Sequence, residues 1–397
     1  MTKRAAIIAI TVTVLGAVAL GGGSVETVDS RTIEGLVSAI DAENVTVRTA
    51  EKAVTVSRKN LGEVVLQEGK DLLERPGRTV VVTRDGGMFD ARSLTMDKGK
   101  LTLTTELLGK VTLDIAAVSE IYTGDTRRSA KHTQKRAEQM GLSAASLDRM
   151  LVEQSEKKWL SVTGVLKSIK DGKITFRFND ADRQIGLGKV TLIRIAKMTR
   201  KSPSPAGILV GKGGTRVAFT DIRMDANSVK LTPVNTTART IDRKLVAKLE
   251  FISDSVKDLT QLKPAKVTEH GFFGTSFPYK KNLSVGGRPL RMNKTTYRRG
   301  LGLHSFCELT YEIDGSYKTF VAIAGIDDEV RPHGDAQLIV LGDGKKLAEY
   351  RITGRDKPTT VRVKIDGVKK LTLRVDFGQD KLGVSDHVNL GAPRLIK

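Results

Sequence analysis

The chain has 397 residues, with 66 lysines and arginines against 45 aspartates and glutamates, a formal net charge of +21. A hydrophobic content of 39% is sufficient for packed cores and excludes wholesale disorder, and the length allows two or three domains. The single cysteine, Cys307, excludes a disulfide within the chain and a metal site built from cysteines.

The N-terminal segment has the pattern of an export signal. Lys3 and Arg4 precede an uninterrupted apolar run over residues 5–20, with small residues at 17–19 that suit cleavage. The run is short for a membrane-spanning helix, which needs about 20 residues. We therefore predict a signal peptide over 1–24 and export to the periplasm, the cell surface or the extracellular space, with no membrane span after cleavage. The alternative is that the run stays uncleaved as a signal anchor.

The middle of the chain is predicted to be a duplicated set of small β modules. Residues 31–122 and 159–252 consist of short alternating segments separated by polar turns, with a hairpin turn at 85–87. NVTV at 44–47 aligns with KITF at 173–176, and 85–104 aligns with 212–232, an offset of about 128 residues. We interpret this as a tandem duplication in which each copy is a pair of barrel-like or open modules. The repeat has no recurring histidine, cysteine or acidic cluster, which favours a scaffold, a spacer or a surface of low specificity.

Residues 125–158, between the two copies, are predicted to form a helical connector. Their apolar positions have the spacing of one or two amphipathic helices. Gly141 is expected to break the helical pattern, and Ser143 is expected to cap a second helix.

The last third of the chain is predicted to be a separate domain, residues 262–397. Residues 254–266 have the composition of a linker, and 11 of the 18 aromatic residues fall in the last 134 positions. Seven or more alternating segments follow, with Asp-Gly turns at 314–315, 343–344 and 366–367. This pattern predicts an antiparallel β-sandwich of the jelly-roll type.

One segment of this domain, GLGLHSFCELTYEIDG at 300–315, is predicted to be a single strand. Cys307 lies on its apolar side and His304 on the opposite side. Gly300 and Gly302 allow other backbone to approach the start of the strand closely.

A second histidine, His387, follows Asp386 just before the last strand. Because the first and last strands of such a sandwich tend to lie together, we expect His304, Asp386 and His387 to converge. A hydrogen bond donated by an imidazole N–H to Asp386 would then fix the tautomer of that ring. Two interpretations stay open, a structural polar contact at the sheet end and a contact with a ligand.

Two further segments suggest binding sites. Asp327 and Asp328, in IDDEV at 326–330, supply crowded oxygen atoms that suit calcium but equally suit a solvated acidic turn. Residues 288–300 form a basic loop that includes Tyr297 and Arg299. This loop suits stacking on a sugar or pairing with an acidic or sulfated glycan, but also a solvated surface.

The same residues resemble a known family. RRGLGLHSFCELTYEIDG, QLIVLGDGKKL, VKKLTLRVDFG and DHVNLGAPRL occur in the order and spacing of the NPCBM domain, a carbohydrate-binding module found beside glycoside hydrolases. The resemblance covers about 262–397. It implies a galactose-binding-like jelly roll that binds sugar without cleaving it, with a structural calcium ion in a loop.

The resemblance includes His304 in the family motif and assigns Asp386, His387 and Asn389 to the closing motif, which usually reads like DHADWADARL. This chain reads DHVNLGAPRL, so Leu390 replaces a tryptophan and Asn389 stands where an aspartate is common. If the missing ring forms the sugar platform, weak affinity is expected.

We therefore expect an exported, non-catalytic protein that binds a polysaccharide or glycoconjugate, including an acidic one, through its C-terminal sandwich. The alternative is a structural or adaptor protein of the cell envelope that has kept the fold without sugar binding. Glycoside hydrolysis needs two positioned carboxylates, and no matching pair of motifs is apparent, so we expect an accessory role beside a hydrolase at most. Basicity alone does not support nucleic-acid binding.

Overall fold

The computed structural model describes residues 23–28, 31–123, 129–142, 146–155, 158–198, 201–271, 277–297 and 299–397. Within these ranges the protein is mainly β, with 34 strands and one α-helix. Strands up to residue 251 form one continuous network, and those from residue 256 onward form a sandwich. No helix in the described part is both long and apolar enough to cross a membrane. Residues 1–22 lie outside these ranges, so the signal peptide stays a prediction.

The first copy of the repeat supplies strands that are all antiparallel to their partners: β1 (Gly23–Thr27), β2 (Thr32–Ile40), β3 (Asn44–Arg48), β4 (Ala53–Ser57), β5 (Leu61–Val65), β6 (Thr79–Thr83), β7 (Met88–Ala91), β8 (Ser93–Asp97), β9 (Lys100–Thr105), β10 (Gly109–Asp114) and β11 (Val118–Tyr122). β6 pairs with β7 across the turn at 85–87, which confirms the predicted hairpin. Gly86 has φ +88°, a conformation that glycine adopts without strain.

The predicted helical connector is only partly helical. Helix α1 (Ala130–Gln139) begins at Ser129, whose hydroxyl accepts a hydrogen bond from the His132 backbone N–H at 3.3 Å. The second predicted helix is wrong, because residues 148–155 form a strand that pairs on both sides within the second copy. Tertiary pairing overrides the helical spacing of this segment. Ser143 lies outside the described residues.

The second copy repeats the first almost strand for strand: β12 (Asp148–Ser155), β13 (Lys158–Lys170), β14 (Lys173–Phe178), β15 (Ala181–Gly186), β16 (Val190–Arg194), β17 (Gly207–Gly211), β18 (Arg216–Met224), β19 (Ser228–Pro233), β20 (Arg239–Asp242) and β21 (Val246–Phe251). A single 3₁₀ turn precedes the last strand of each five- or six-strand module, at Arg58–Asn60, Ile115–Ala117, Leu187–Lys189 and Arg243–Leu245. The elements of the two copies thus recur at the offset seen in the sequence.

The two copies are interlocked rather than placed side by side. β5 of the first copy pairs with β21 of the second, and β11 of the first pairs with β16 of the second. Likewise Ile40 lies opposite Met224, and Met96 lies opposite Ile169. Each contact has a counterpart in which the copies exchange roles, and one hydrophobic core runs through both. Each copy therefore depends on the other to cover its apolar strands.

A partly buried ion-pair network lies in this region. The Glu250 carboxylate on β21 accepts from the Arg216 guanidinium at 2.7 Å and lies 3.0 Å from the Lys248 ammonium. Burial raises the pKa of Glu250, but the hydrogen bonds and charges of Arg216 and Lys248 outweigh burial and lower the pKa to about 2.

The C-terminal region is a two-sheet antiparallel sandwich. Its strands are β22 (Val256–Asp258), β23 (Lys266–Glu269), β24 (Lys280–Lys281), β25 (Leu290–Met292), β26 (Thr295–Tyr297), β27 (Gly300–Leu303), β28 (Cys307–Glu312), β29 (Thr319–Ile326), β30 (Asp335–Gly342), β31 (Lys345–Thr353), β32 (Thr359–Lys364), β33 (Lys370–Phe377) and β34 (Val388–Ile396). One sheet has the order β24-β27-β34-β29-β32, with β22 also on β34, and the other has the order β23-β28-β33-β30-β31. The core lies between them, as the predicted β-sandwich requires.

The sandwich begins earlier than the sequence predicts. Residues 256–258 were expected to be part of a linker, but they pair with the last strand, and Leu259 is fully buried in the sandwich core. The sandwich also contacts the first module directly. The Arg394 guanidinium on β34 pairs with Glu26 at 2.8 Å and donates to the Thr27 carbonyl at 3.3 Å.

Candidate functional site

The segment predicted as a single strand at 300–315 is a corner. β27 ends at Leu303 and belongs to one sheet, whereas β28 begins at Cys307 and belongs to the other. His304 lies in the short crossing between the two sheets, at the rim of the sandwich. The prediction of one continuous strand is therefore wrong, although both halves keep the alternation that made them appear continuous.

The two glycines of this segment have a packing reason. A Cβ at Gly302 would lie 2.6 Å from the backbone carbonyl carbon of Ser284, and one at Gly300 would lie 2.6 Å from the Leu290 side chain. Real Cβ atoms are not found so close to such neighbours. The chain before the histidine therefore needs glycine so that the loop at 283–285 and the residues around 290 can pack against β27, as predicted.

His304 is held in one orientation by its neighbours. The residue is 5% exposed, and its Nδ1 lies 2.6 Å from the Ser305 carbonyl oxygen. Because a carbonyl only accepts, Nδ1 has the proton and Nε2 has the lone pair when the ring is neutral. The Phe277 ring stacks on the imidazole with centroids 4.4 Å apart. Burial lowers the pKa of His304, so the neutral ring is favoured.

His387 lies beside His304, with ring centroids 5.5 Å apart. Its Nδ1 lies 2.9 Å from the Glu329 carboxylate, and Glu329 also pairs with Arg288 at 3.6 Å. The sequence-based expectation that the two histidines converge is thus met in the structure. We call Phe277, His304, Glu329 and His387 the histidine cluster.

Asp386 lies buried next to this cluster. The predicted hydrogen bond between Asp386 and an imidazole ring is not formed. It is fully buried, accepts from the Ser305 hydroxyl at 2.5 Å and accepts from the Asp335 backbone N–H at 3.0 Å. Burial raises its pKa to about 6. The carboxylate that orients an imidazole is Glu329, whereas Asp386 fixes the corner through Ser305. A fully buried Asp386 cannot itself contact a ligand.

Asn389 is also inaccessible, which corrects its assignment to the ligand site. It is fully buried and its side-chain amide donates to Asp327. Asp327 accepts further bonds from the backbone N–H groups of Glu329 at 2.9 Å and Arg291 at 3.4 Å. Asn389 and Asp327 therefore hold the β25–β26 hairpin against the sheet.

Asp328 caps the same hairpin. Its two oxygens accept from the backbone N–H groups of Asn293 at 2.6 Å and Lys294 at 2.7 Å. Calcium at Asp327 and Asp328 stays a prediction, but these carboxylates already have N–H partners. Among the described residues no group of three or more histidine, cysteine, aspartate or glutamate side chains is placed to hold a metal ion.

Tyr297 and Arg299 do not join the histidine cluster. Gly300 lies opposite Gly391 at one end of β27 and Leu303 opposite Val388 at the other, roughly 10 Å apart; Arg299 precedes the Gly300 end, whereas His304 follows Leu303. Tyr297 packs on Gly391, where a Cβ would lie 2.7 Å from the ring atom Cγ, and burial raises the pKa of Tyr297. Arg299 pairs with Asp258 at 3.0 Å. Both residues hold β26 and β22 in place.

Leu390, where the family motif has tryptophan, points into the core. It is fully buried and lies opposite Leu301 and Ala324 in the sheet. A side chain at this position faces the interior rather than a ligand. The absence of a tryptophan here therefore does not remove a surface platform.

Phe277 is the residue that sequence reasoning missed. It is 39% exposed, covers His304 and lies 6.0 Å from the His387 ring. The aromatic stretch HGFFGTSFPY at 270–279 was a signal, but its distance in sequence from both histidines concealed the contact. The cluster thus offers an exposed aromatic ring beside two imidazoles, an arrangement that suits the apolar face and hydroxyl groups of a sugar.

Comparison with known proteins agrees with the resemblance found in the sequence. Residues 256–396, the whole sandwich, match the family model "NPCBM/NEW2 domain". The C-terminal third of the chain is therefore an NPCBM/NEW2 domain, from a family of carbohydrate-binding modules.

A curated relative from Renibacterium salmoninarum, named "Putative endo-alpha-N-acetylgalactosaminidase", is 34% identical over 90 residues. The match covers 22% of this chain and 6% of that protein, so the chain spans only a small part of its length.

Two solved structures from Clostridium perfringens are similar. A CBM51 module of GH95 in complex with methyl-galactose is 26% identical, covering 35% of this chain and 99% of that one, with a TM-score of 0.32. CBM51-2 with GlcNAc and INT domains of ZmpB is 19% identical, covering 45% of this chain and 38% of that one, with a TM-score of 0.33.

Proposed function

We propose that the chain is an exported, non-catalytic protein that binds glycan at the histidine cluster of its C-terminal sandwich. The observation that supports this most directly is the exposed Phe277 ring stacked on His304 within a domain of a carbohydrate-binding family. A half-exposed ring offers a flat apolar surface for a pyranose, and the adjacent imidazole nitrogens offer hydrogen bonds to its hydroxyls.

A role in binding sugar, rather than in cleaving it, agrees with the contacts that the nearby carboxylates make. Glu329 is engaged by His387 and Arg288, and Asp386 is buried behind Ser305. Glycoside hydrolysis needs two carboxyl groups that face each other across a sugar. Neither Glu329 nor Asp386 is arranged in that way, so the cluster is suited to binding.

The net charge of +21 suggests which glycans to test. Arg288 and Arg291, near the cluster, have 74% and 55% of their side chains exposed. A basic surface favours retention on acidic polymers at low salt. The panel of ligands should therefore include neutral and acidic oligosaccharides at two salt concentrations.

The test is titration calorimetry of the full chain against this panel, with Phe277→Ala as the variant. We expect saturable binding by the wild type and about a tenfold loss for Phe277→Ala, which corresponds to ~1.4 kcal/mol. Leu160→Ala is the control, because Leu160 is a similarly exposed apolar residue (46%) outside the sandwich. No binding to any glycan would contradict the function, and unchanged affinity of Phe277→Ala would contradict the site.

A further inference from the structure

The two imidazoles of the histidine cluster share a hydrogen-bonding pattern. Each Nδ1 faces an oxygen acceptor, the Ser305 carbonyl at 2.6 Å for His304 and the Glu329 carboxylate at 2.9 Å for His387. Each Nδ1 therefore has the proton, and each Nε2 has a free lone pair when the ring is neutral. Histidines that ligate metal ions almost always donate their other N–H to a carboxylate or a backbone carbonyl in this way.

The Nε2 atoms are unused by the protein. Neither has a partner in the part of the chain that the structure describes, and neither is among its fully buried unpartnered atoms. Because the protein supplies no donor to these atoms, a solvent molecule or a ligand is expected at both nitrogens.

The separation of the rings suits one shared ion. A Zn–N distance of about 2.0–2.1 Å and tetrahedral angles place the centres of two ligating imidazoles roughly 5 Å apart. The centroids of His304 and His387 are 5.5 Å apart, with the rings tilted by 61°. The Phe277 ring lies against the face of His304 rather than across its edge, since the two rings are nearly parallel at 22°. In this stacked arrangement the Phe277 ring does not cover the nitrogen edge of His304.

We propose that His304 and His387 bind one divalent transition-metal ion, of the class of Zn²⁺, through their Nε2 atoms. Water or a hydroxyl group of a bound ligand completes the coordination, because no third protein ligand is positioned among the described residues. Imidazole nitrogen selects zinc and similar ions over calcium, so this site is chemically distinct from the calcium expected at Asp327 and Asp328. The inference does not rest on the proposed glycan binding, in which the same Nε2 atoms accept hydrogen bonds from sugar hydroxyls when no ion is bound.

Glu329 acts as a positioning residue in this site. Its carboxylate orients His387 and keeps the proton on Nδ1, so that Nε2 points its lone pair at the ion. Loss of such a partner typically costs 10–100-fold in metal affinity. Glu329→Gln keeps the side-chain size and tests this role without removing a ligand.

The experiment is calorimetric titration of the metal-free full chain with ZnCl₂ at pH 7.5, and with CaCl₂ in parallel. One equivalent of Zn²⁺ should bind at a single saturable site, with at least a ~10-fold weaker association constant in His387→Gln, His304→Gln and Glu329→Gln. His132→Gln, an exposed histidine of α1, is the control and should bind as the wild type does. X-ray absorption of the zinc complex should show two nitrogen ligands at about 2.0–2.1 Å.

Two results of these titrations would contradict the metal site. Absence of a one-equivalent site, or unchanged zinc affinity in His387→Gln, would overturn the proposal. Because His387 is near the surface, this variant decides the matter even where His304→Gln fails to fold, as thermal denaturation would reveal. Glycan binding measured with EDTA reports on the proposed function separately from the metal site.

Discussion

Replacing Leu390 by tryptophan tests whether this position belongs to the core or to a ligand platform. The side chain is fully buried, between Leu301 on β27 and Ala324 on β29. Tryptophan is much larger than leucine, and overpacking of a well-packed core typically costs 1–3 kcal/mol, so we expect ~1–3 kcal/mol of destabilisation in Leu390→Trp. For a domain of this size that cost lowers the melting temperature by roughly 2–4 °C per kcal/mol.

The assay is scanning calorimetry of the full chain, followed by glycan titration at a temperature where the variant is folded. Val384→Trp is the matched control, because Val384 is 61% exposed and a large ring there meets no core. We expect Leu390→Trp to lower the melting temperature and to leave glycan affinity unchanged. A variant as stable as the wild type with stronger glycan binding would refute the assignment of Leu390 to the core.

Three further changes follow from the packing. The pKa of Glu250 is lowered to about 2 in the folded state, so its pairing with Arg216 stabilises the fold fully above about pH 5, and this stabilisation is lost as the pH falls towards 2. Glu250→Gln should lower the free energy of unfolding by ~3 kcal/mol at pH 7. In the variant, the free energy of unfolding measured by urea denaturation should also depend less on pH. An equally steep loss of stability on acidification in the variant would contradict this. Gly302→Ala should lower the melting temperature because the added Cβ meets the Ser284 backbone, whereas Gly186→Ala should not, because no atom lies within 4 Å of its added Cβ. Equal changes of melting temperature in the two variants would show that this steric clash at Gly302 is absent. Arg394→Ala should weaken the contact between the sandwich and the first module by about 1–3 kcal/mol. Limited proteolysis should then cut the chain between them faster than in the wild type. An unchanged cleavage rate would show that Arg394 does not hold the two together.

Much of the fold could be predicted because it depends on local patterns. Alternating apolar residues and Asp-Gly turns predict strands and hairpins, and the repeat offset relates the two copies. The order of motifs around His304 and His387 placed the last third of the chain in its family. The approach of the two histidines followed from the pairing of β27 with β34, which is a general property of such sandwiches.

Local pattern was insufficient wherever a choice between partners was needed. Residues 148–155 have apolar spacing that fits a helix, but β13 and β16 lie on either side and make the segment a strand. The interlocking of β5 with β21 and of β11 with β16 depends on contacts between residues far apart in sequence, which periodicity cannot specify.

At the candidate site, the sequence by itself determined the residue types and their approximate meeting point, because motif order and strand pairing decide which ends of the strands lie together. Only the tertiary structure decided which side chains are accessible. Asp386 and Asn389 are fully buried and hydrogen-bonded within the protein, and the Phe277 ring stacks on His304. The physical reason is that burial is a property of the assembled layers. An alternating strand has two faces in its sequence, and the neighbouring hairpins and loops decide which parts of each face meet solvent.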